Sequence, residues 1–167
     1  MASRKGSKAT SGRTPRRKSR GARDEGTPAH SFRYIESSAL LAALLEQEPS
    51  ALAAMKADGH RITSALTFAE AARALVRARV AGRLTIEEER AALRGLRTFE
   101  RRCAVAGVTA AVLTRAGRPF PVEPVRTLDA VHLATAELLG EPPQLVTIIT
   151  RDDRVRVNAQ RLGYVVE

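Results

Sequence analysis

Apolar positions along this chain fall into short β-branched or aromatic runs, separated by longer stretches with helical spacing. Phe32 to Ile35 reads as a strand ending at Glu36, and Ser37 or Ser38 can cap a helix running through Leu45. Pro49-Ser50 stops that helix, and Ser50 can cap another to Lys56, closed by Asp58-Gly59. Arg61 to Thr63 is a second short strand, followed by a strong helix over Leu66 to Val80 with Gly82 at its end. At about 100° per residue its apolar stripe is Phe68, Ala72, Leu75 and Val76. That places Glu70 nearly opposite, beside Arg73 and Arg77, as an exposed ion-pairing residue. Thr85-Ile86-Glu87-Glu88 has the form of a capping box and opens a helix to about Arg102. Cys103 to Val108 is strand-like, Thr109 to Ala116 helical, and the Pro-rich Arg118 to Val125 a loop. Thr127 caps a helix to Leu139, ended by Gly140; Leu145 to Thr150 is a buried β-branched strand. A last helix, Asp153 to Leu162, precedes the short strand Tyr164 to Val166.

Strands alternating with helices predict an α/β layer architecture with a mainly parallel sheet. Ligands of such sheets sit beyond the carboxyl ends of the strands, which is where Glu36 and Asp152 fall. Taken singly, an acid there is ordinarily a turn or cap residue, and Asp153 beside Asp152 is a natural cap for the last helix. Asp129 lies in the first turn of its helix, where the helix dipole favours it. Its helical neighbours Leu133 and Ala136 are apolar, however, and an acid in such surroundings needs a partner or a metal.

Charge changes the picture only once it is divided. The net charge is +10 over 167 residues. Residues 1–30 hold nine Lys/Arg against Asp24 and Glu25, so most of the excess sits in a Ser-, Gly- and Pro-rich segment. We read 1–30 as a disordered basic tail and 31–167 as one domain. The tail is either an arm adding salt-sensitive attraction to nucleic acid or an extension without function. Beyond it there is a single lysine, Lys56, and no G-x-x-x-x-G-K-[ST] string, which excludes a P-loop enzyme. One cysteine, Cys103, excludes a disulfide framework and a cysteine-cluster zinc site. The single cysteine suits a reducing cytoplasm, the expected location, and no apolar run is long enough for a membrane span, so no membrane partner is expected. His30, His60 and His132 share no ligand spacing, and His132 reads as a hydrogen-bonded core histidine. No G-x-S-x-G elbow exists and Cys103 has no evident base, so covalent nucleophile chemistry is unsupported. What survives is a set of carboxylates. Oxygen ligands on an α/β scaffold favour Mg²⁺ or Mn²⁺ over zinc, and such ions serve phosphodiester hydrolysis.

Four strings, in order, carry a resemblance. Tyr34-Ile35-Glu36-Ser37-Ser38-Ala39-Leu40 resembles the opening Y-[LIV]-D-[TS]-S-[AS]-L of PIN-domain ribonucleases of the VapC toxin type. Thr63 to Leu75, containing Glu70, is similar to their second acidic block. Arg126-Thr127-Leu128-Asp129-Ala130-Val131-His132-Leu133-Ala134 is close to their R-x-x-D-A-[LV]-H-L-A block, and Ile149-Thr150-Arg151-Asp152 resembles the fourth. The resemblance covers roughly residues 32–167. It implies a three-layer α/β/α sandwich with a mainly parallel sheet of about five strands. It also implies an Mg²⁺- or Mn²⁺-dependent endoribonuclease acting on tRNA or rRNA and leaving a 3′-hydroxyl and a 5′-phosphate. Such a toxin is usually a homodimer held inactive by a cognate antitoxin protein. The acids carry over as Glu36, Glu70, Asp129 and Asp152, with Ser38, Thr150 and Asp153 in supporting places.

Two departures stand out. The first acid of the pattern is normally Asp, and Glu36 carries an extra methylene that moves its carboxylate by roughly 1–1.5 Å, a displacement Mg²⁺ accommodates badly. The basic tail is the second. Three rivals stay open from the residues: a catalytically weak or inactive PIN-like RNA- or protein-binding module, a receiver-type α/β domain, and a DNA-directed nuclease. The receiver reading is poor, because its acid pair should follow the first strand and its lysine a late one.

Overall fold

A computed structural model describes residues 1–2 and 32–167. The expected basic tail, apart from its first two residues, lies outside the described residues. The chain forms β1 (Phe32–Ile35), α1 (Ser37–Leu44), α2 (Pro49–Lys56), β2 (His60–Ser64), α3 (Ala65–Val80), α4 (Ile86–Glu100), β3 (Ala104–Ala106) and α5 (Ala110–Ala116). It continues through α6 (Thr127–Glu137), a 3₁₀ turn at Pro143–Leu145, β4 (Val146–Ile149), α7 (Asp153–Arg161) and β5 (Val165–Val166). All five strands are parallel, in the order β3-β2-β1-β4-β5.

Two-residue periodicity sorts the strand side chains into the two outer layers. Tyr34 and Ile148 face one core with Val131, Leu133, Ala134 and Val155, under α5, α6 and α7. Their neighbours Ile35 and Ile149 face the other with Leu40, Ala71, Leu96 and Phe99, under α1, α3 and α4. The expected three-layer sandwich is therefore what forms. The order of strands reverses at β1, which pairs with β2 on one side and β4 on the other, so a switch point opens beyond the carboxyl ends of β1 and β4.

Several local details differ from the sequence expectations. Glu36, not Ser37 or Ser38, caps α1 by accepting from the Ser38 amide. Pro49 occupies the first turn of α2 and Ser50 lies within the helix. Thr127 is the first residue of α6, whose cap position is Arg126. Asp152 caps α7, leaving Asp153 exposed in the first turn. The capping box at Thr85 and Glu88 forms as expected. The buried stripe of α3 is Thr67, Ala71, Leu75 and Ala78, with Phe68 and Ala72 half-buried on its flank. Thr67 can be buried because its hydroxyl accepts from Thr63 at 2.8 Å. This rotation of the stripe moves Glu70 from the outer face to the shoulder of the helix.

Arg33 is buried in β1 at 7% exposure. Its Nε donates to the Ala54 carbonyl at 3.1 Å and its guanidinium pairs with Glu167 at 2.5 Å. Removing Glu167 strands that charge, though the outer half of the pair is wet and water can partly replace it. Glu167→Ala is expected to cost about 2 kcal/mol, a fall in melting temperature of roughly 5 °C readable by calorimetry.

Candidate active site

The switch point gathers residues from four separate segments. Glu36 leaves β1 with its amide bonded to the Ile149 carbonyl of β4 at 3.0 Å, which locks the two strand ends together. The residue is 4% exposed, and its side chain folds back over the N-terminus of α1. The carboxylate accepts from Ser37 Oγ at 2.5 Å, the Ser38 amide at 3.0 Å, Thr150 Oγ1 at 2.9 Å, and Ser38 Oγ. Ser38 Oγ in turn accepts from the Arg151 amide at 2.7 Å, and Thr150 Oγ1 accepts from the Asp152 amide at 3.0 Å. The two hydroxyls thus tie the β4–α7 turn to the first acid. The longer glutamate stem places the carboxylate inward, among these hydroxyls.

Glu70 reaches the same place from α3. Its Oε2 lies 2.7 Å from His132 Nε2, and that nitrogen is 3.8 Å from Glu36 Oε1. His132 is buried at 1% exposure, and its other nitrogen is 2.9 Å from the Tyr34 hydroxyl. Burial pushes the Tyr34 phenol far above its ordinary range, so it remains a neutral donor. With carboxylates facing Nε2, the proton belongs there, and Nδ1 accepts from Tyr34. The core histidine expected from sequence is therefore buried and hydrogen-bonded, but its partner is an acid of the cluster. The i,i+3 spacing of Asp129 and His132 puts both on one side of α6, but the partner itself comes from α3.

Asp129 projects from the first turn of α6 with its Oδ2 buried and without a hydrogen-bond partner among the described residues. Burial holds its carboxyl above the usual range, and the charges of Asp152 and Glu36 push it further; Arg126 and His132 partly oppose this. Asp152 accepts from the Arg154 amide at 2.7 Å and the Val155 amide at 3.2 Å through Oδ1. All four acids are brought to one end of the sheet; exposed Asp153 makes none of these contacts. Burial raises the Cys103 thiol to about 11, which removes it as a nucleophile.

A buried carboxylate oxygen without a partner among the described residues, under the repulsion of two further carboxylates, is chemically suited to a cation. Carboxylate oxygens of Glu36 and Glu70 also lie within 4.8 Å of each other and of His132 Nε2, which stays their hydrogen-bond donor. The clustered carboxylates can hold a metal ion.

A PIN-domain family model matches residues 33–160. Ribonuclease VapC46 of Mycobacterium tuberculosis is 41% identical over 139 residues, covering 80% of this chain and 94% of that protein. Ribonuclease VapC35 of the same organism is 33% identical over 137 residues, with 80% and 93% covered. Among solved structures, M. tuberculosis VapC20, described as a sarcin-ricin loop cleaving toxin, superposes with a TM-score of 0.57 at 16% identity, covering 80% and 96% of the two chains. PAE2754 of Pyrobaculum aerophilum gives 0.55 at 20% identity over 85% and 87%. VapBC-1 of nontypeable Haemophilus influenzae gives 0.51 at 13% identity over 81% and 96%.

Proposed function

The chain belongs to the PIN-domain family, and from that membership and its clustered acids we propose that it is a metal-dependent endoribonuclease, the toxin of a toxin–antitoxin pair. The observation that carries the site is the buried, partnerless Oδ2 of Asp129, aimed where Glu36 and Asp152 also bring charge. Glu36, Glu70, Asp129 and Asp152 would hold the ion. Their all-carboxylate oxygen set suits Mg²⁺ or Mn²⁺. When bound, the ion lowers the pKa of an attacking water and offsets charge on the scissile phosphate.

The chain's own groups prepare that chemistry. Ser38 and Thr150 hold the Glu36 carboxylate in one orientation, and His132, oriented by Tyr34, fixes Glu70 from beneath. Asp152 is aimed by the two amides it caps. Hydrolysis breaks the bond from phosphorus to the 3′ oxygen, leaving a 3′-hydroxyl and a 5′-phosphate. The substrate is tRNA or rRNA, the partner a cognate antitoxin, and the active species a cytoplasmic homodimer. Among the described residues no helix is long and apolar enough to cross a membrane.

One observation favours a second reading, a catalytically inactive binding module: four hydrogen bonds already engage the Glu36 carboxylate. Pooled tRNA and rRNA incubated with Mg²⁺, Mn²⁺ or chelator separates the two. Discrete cuts are expected with metal and none with chelator. Asp152→Asn should lose at least about 100-fold in rate while melting as the wild type does, because asparagine caps a helix as well as aspartate. Absence of cutting by folded, antitoxin-free protein would establish the binding module.

A further inference from the structure

A groove of about 330 Å³ leads away from the acid cluster along the outer side of α3. Its inner end is Ser37 and Glu70, its walls include Leu41, Leu66 and Leu128, and its far end carries Arg73 and Arg77. Both arginines are exposed, and neither side chain makes a hydrogen bond or ion pair among the described residues. Arg79, two residues on, is by contrast tied to Glu89 of α4 at 2.7 Å. Four residues apart on one helix, the two arginines leave the backbone about 6 Å apart along the axis, on the same side. Leu128, next to Asp129 in α6, is 46% exposed and forms an apolar lip over the groove mouth.

We propose that this groove is a subsite for single-stranded RNA, in which Arg73 and Arg77 bind consecutive phosphates flanking the one cut at the acid cluster. The proposal rests on the ribonuclease reading. A line of acids repels a polyanion, so a strand crossing them needs cations beyond. The groove supplies two, at a repeat suited to a backbone rather than to a single anion. Arginine's planar fork binds phosphate oxygens in pairs. The Leu41, Leu66 and Leu128 walls offer an apolar bed for a base without hydrogen-bond donors that would read its identity. Contact here is therefore tolerant of sequence.

The test compares the double variant Arg73→Gln/Arg77→Gln with Arg90→Gln/Arg94→Gln, which removes the same charge from the exposed face of α4. Binding of a fluorescein-labelled single-stranded RNA 12-mer is followed by anisotropy in chelator across a KCl series. Losing two phosphate contacts lowers the slope of log K against log salt by about 1.4 in the groove variant, with little change in the α4 variant. With metal added, the groove variant should show KM raised about tenfold and kcat changed much less. Equal slopes in all three proteins would overturn the subsite, as would equal losses in both variants. Unchanged RNA binding with loss of binding to the purified antitoxin would assign the groove to that protein instead. Because binding is read without cleavage, a wild type that binds with the expected slope but never cuts would sink the ribonuclease reading alone.

Discussion

Asp129→Asn is expected to abolish RNA cleavage, by about a thousandfold or more, and at the same time to make the metal-free protein harder to melt. Both effects come from one carboxylate held partly out of water against Asp152 and Glu36, with an oxygen that nothing among the described residues satisfies. Burial is the largest reason that its carboxyl titrates above the ordinary aspartate range. A group whose folded pKa exceeds its unfolded one supports folding only while protonated. Its contribution is present at low pH and lost as pH rises through the folded value, so at neutral pH the ionised Asp129 opposes folding. In chelator, the melting temperature of Asp129→Asn should exceed that of wild type at pH 7.5, and the gap should close as pH falls toward 4. Adding Mg²⁺ or Mn²⁺ should raise the wild-type melting temperature and shift the variant much less. A variant that melts below wild type in chelator at pH 7.5 would refute this account of the site.

Glu36→Ala should produce the largest loss of stability at the site. Alanine removes the acceptor for Ser37 Oγ, Ser38 Oγ, the Ser38 amide and Thr150 Oγ1 in a place that water hardly reaches. It also removes the cap of α1. Leaving such donors unpaired costs about 3 kcal/mol, or roughly 10 °C in melting temperature, and cleavage should vanish with it. Glu36→Asp separates stability from chemistry. Aspartate caps a helix at least as well, so the fold should hold, while the shorter stem withdraws the carboxylate from the pocket of hydroxyls. Activity with Mg²⁺, which demands near-ideal octahedral ligands, should then rise several-fold relative to activity with Mn²⁺. An unchanged Mg²⁺ to Mn²⁺ ratio would mean that the extra methylene is already fully accommodated.

Most of the scaffold was legible because the strands announce themselves twice, by β-branched runs and by the alternation that splits Tyr34 from Ile35 and Ile148 from Ile149. Strand-end position pointed to Glu36 and Asp152, and apolar helical neighbours to Asp129. Glu70 is readable only through the resemblance, since the aromatic weight of Phe68 turns the expected α3 stripe by about a quarter turn from the buried one. Burial there is decided instead by Thr67, whose polarity is cancelled by Thr63. Caps were misplaced where two good candidates stand side by side, as at Glu36-Ser37-Ser38 and Asp152-Asp153. No sequence rule ranks such neighbours without the turn that precedes them. The burial of Arg33 and the bond from His132 to Glu70 were invisible, because they depend on how distant elements seat against each other.

The bond between Thr150 and Glu36 joins residues 114 positions apart. A ribosome making this protein releases Glu36 ahead of Thr150 by 114 residues, so no nascent chain that lacks the β4–α7 turn has the whole site. An endoribonuclease built in this way cannot act until β4 and the turn after it have left the ribosome. That interval is time in which a partner protein can already be in place.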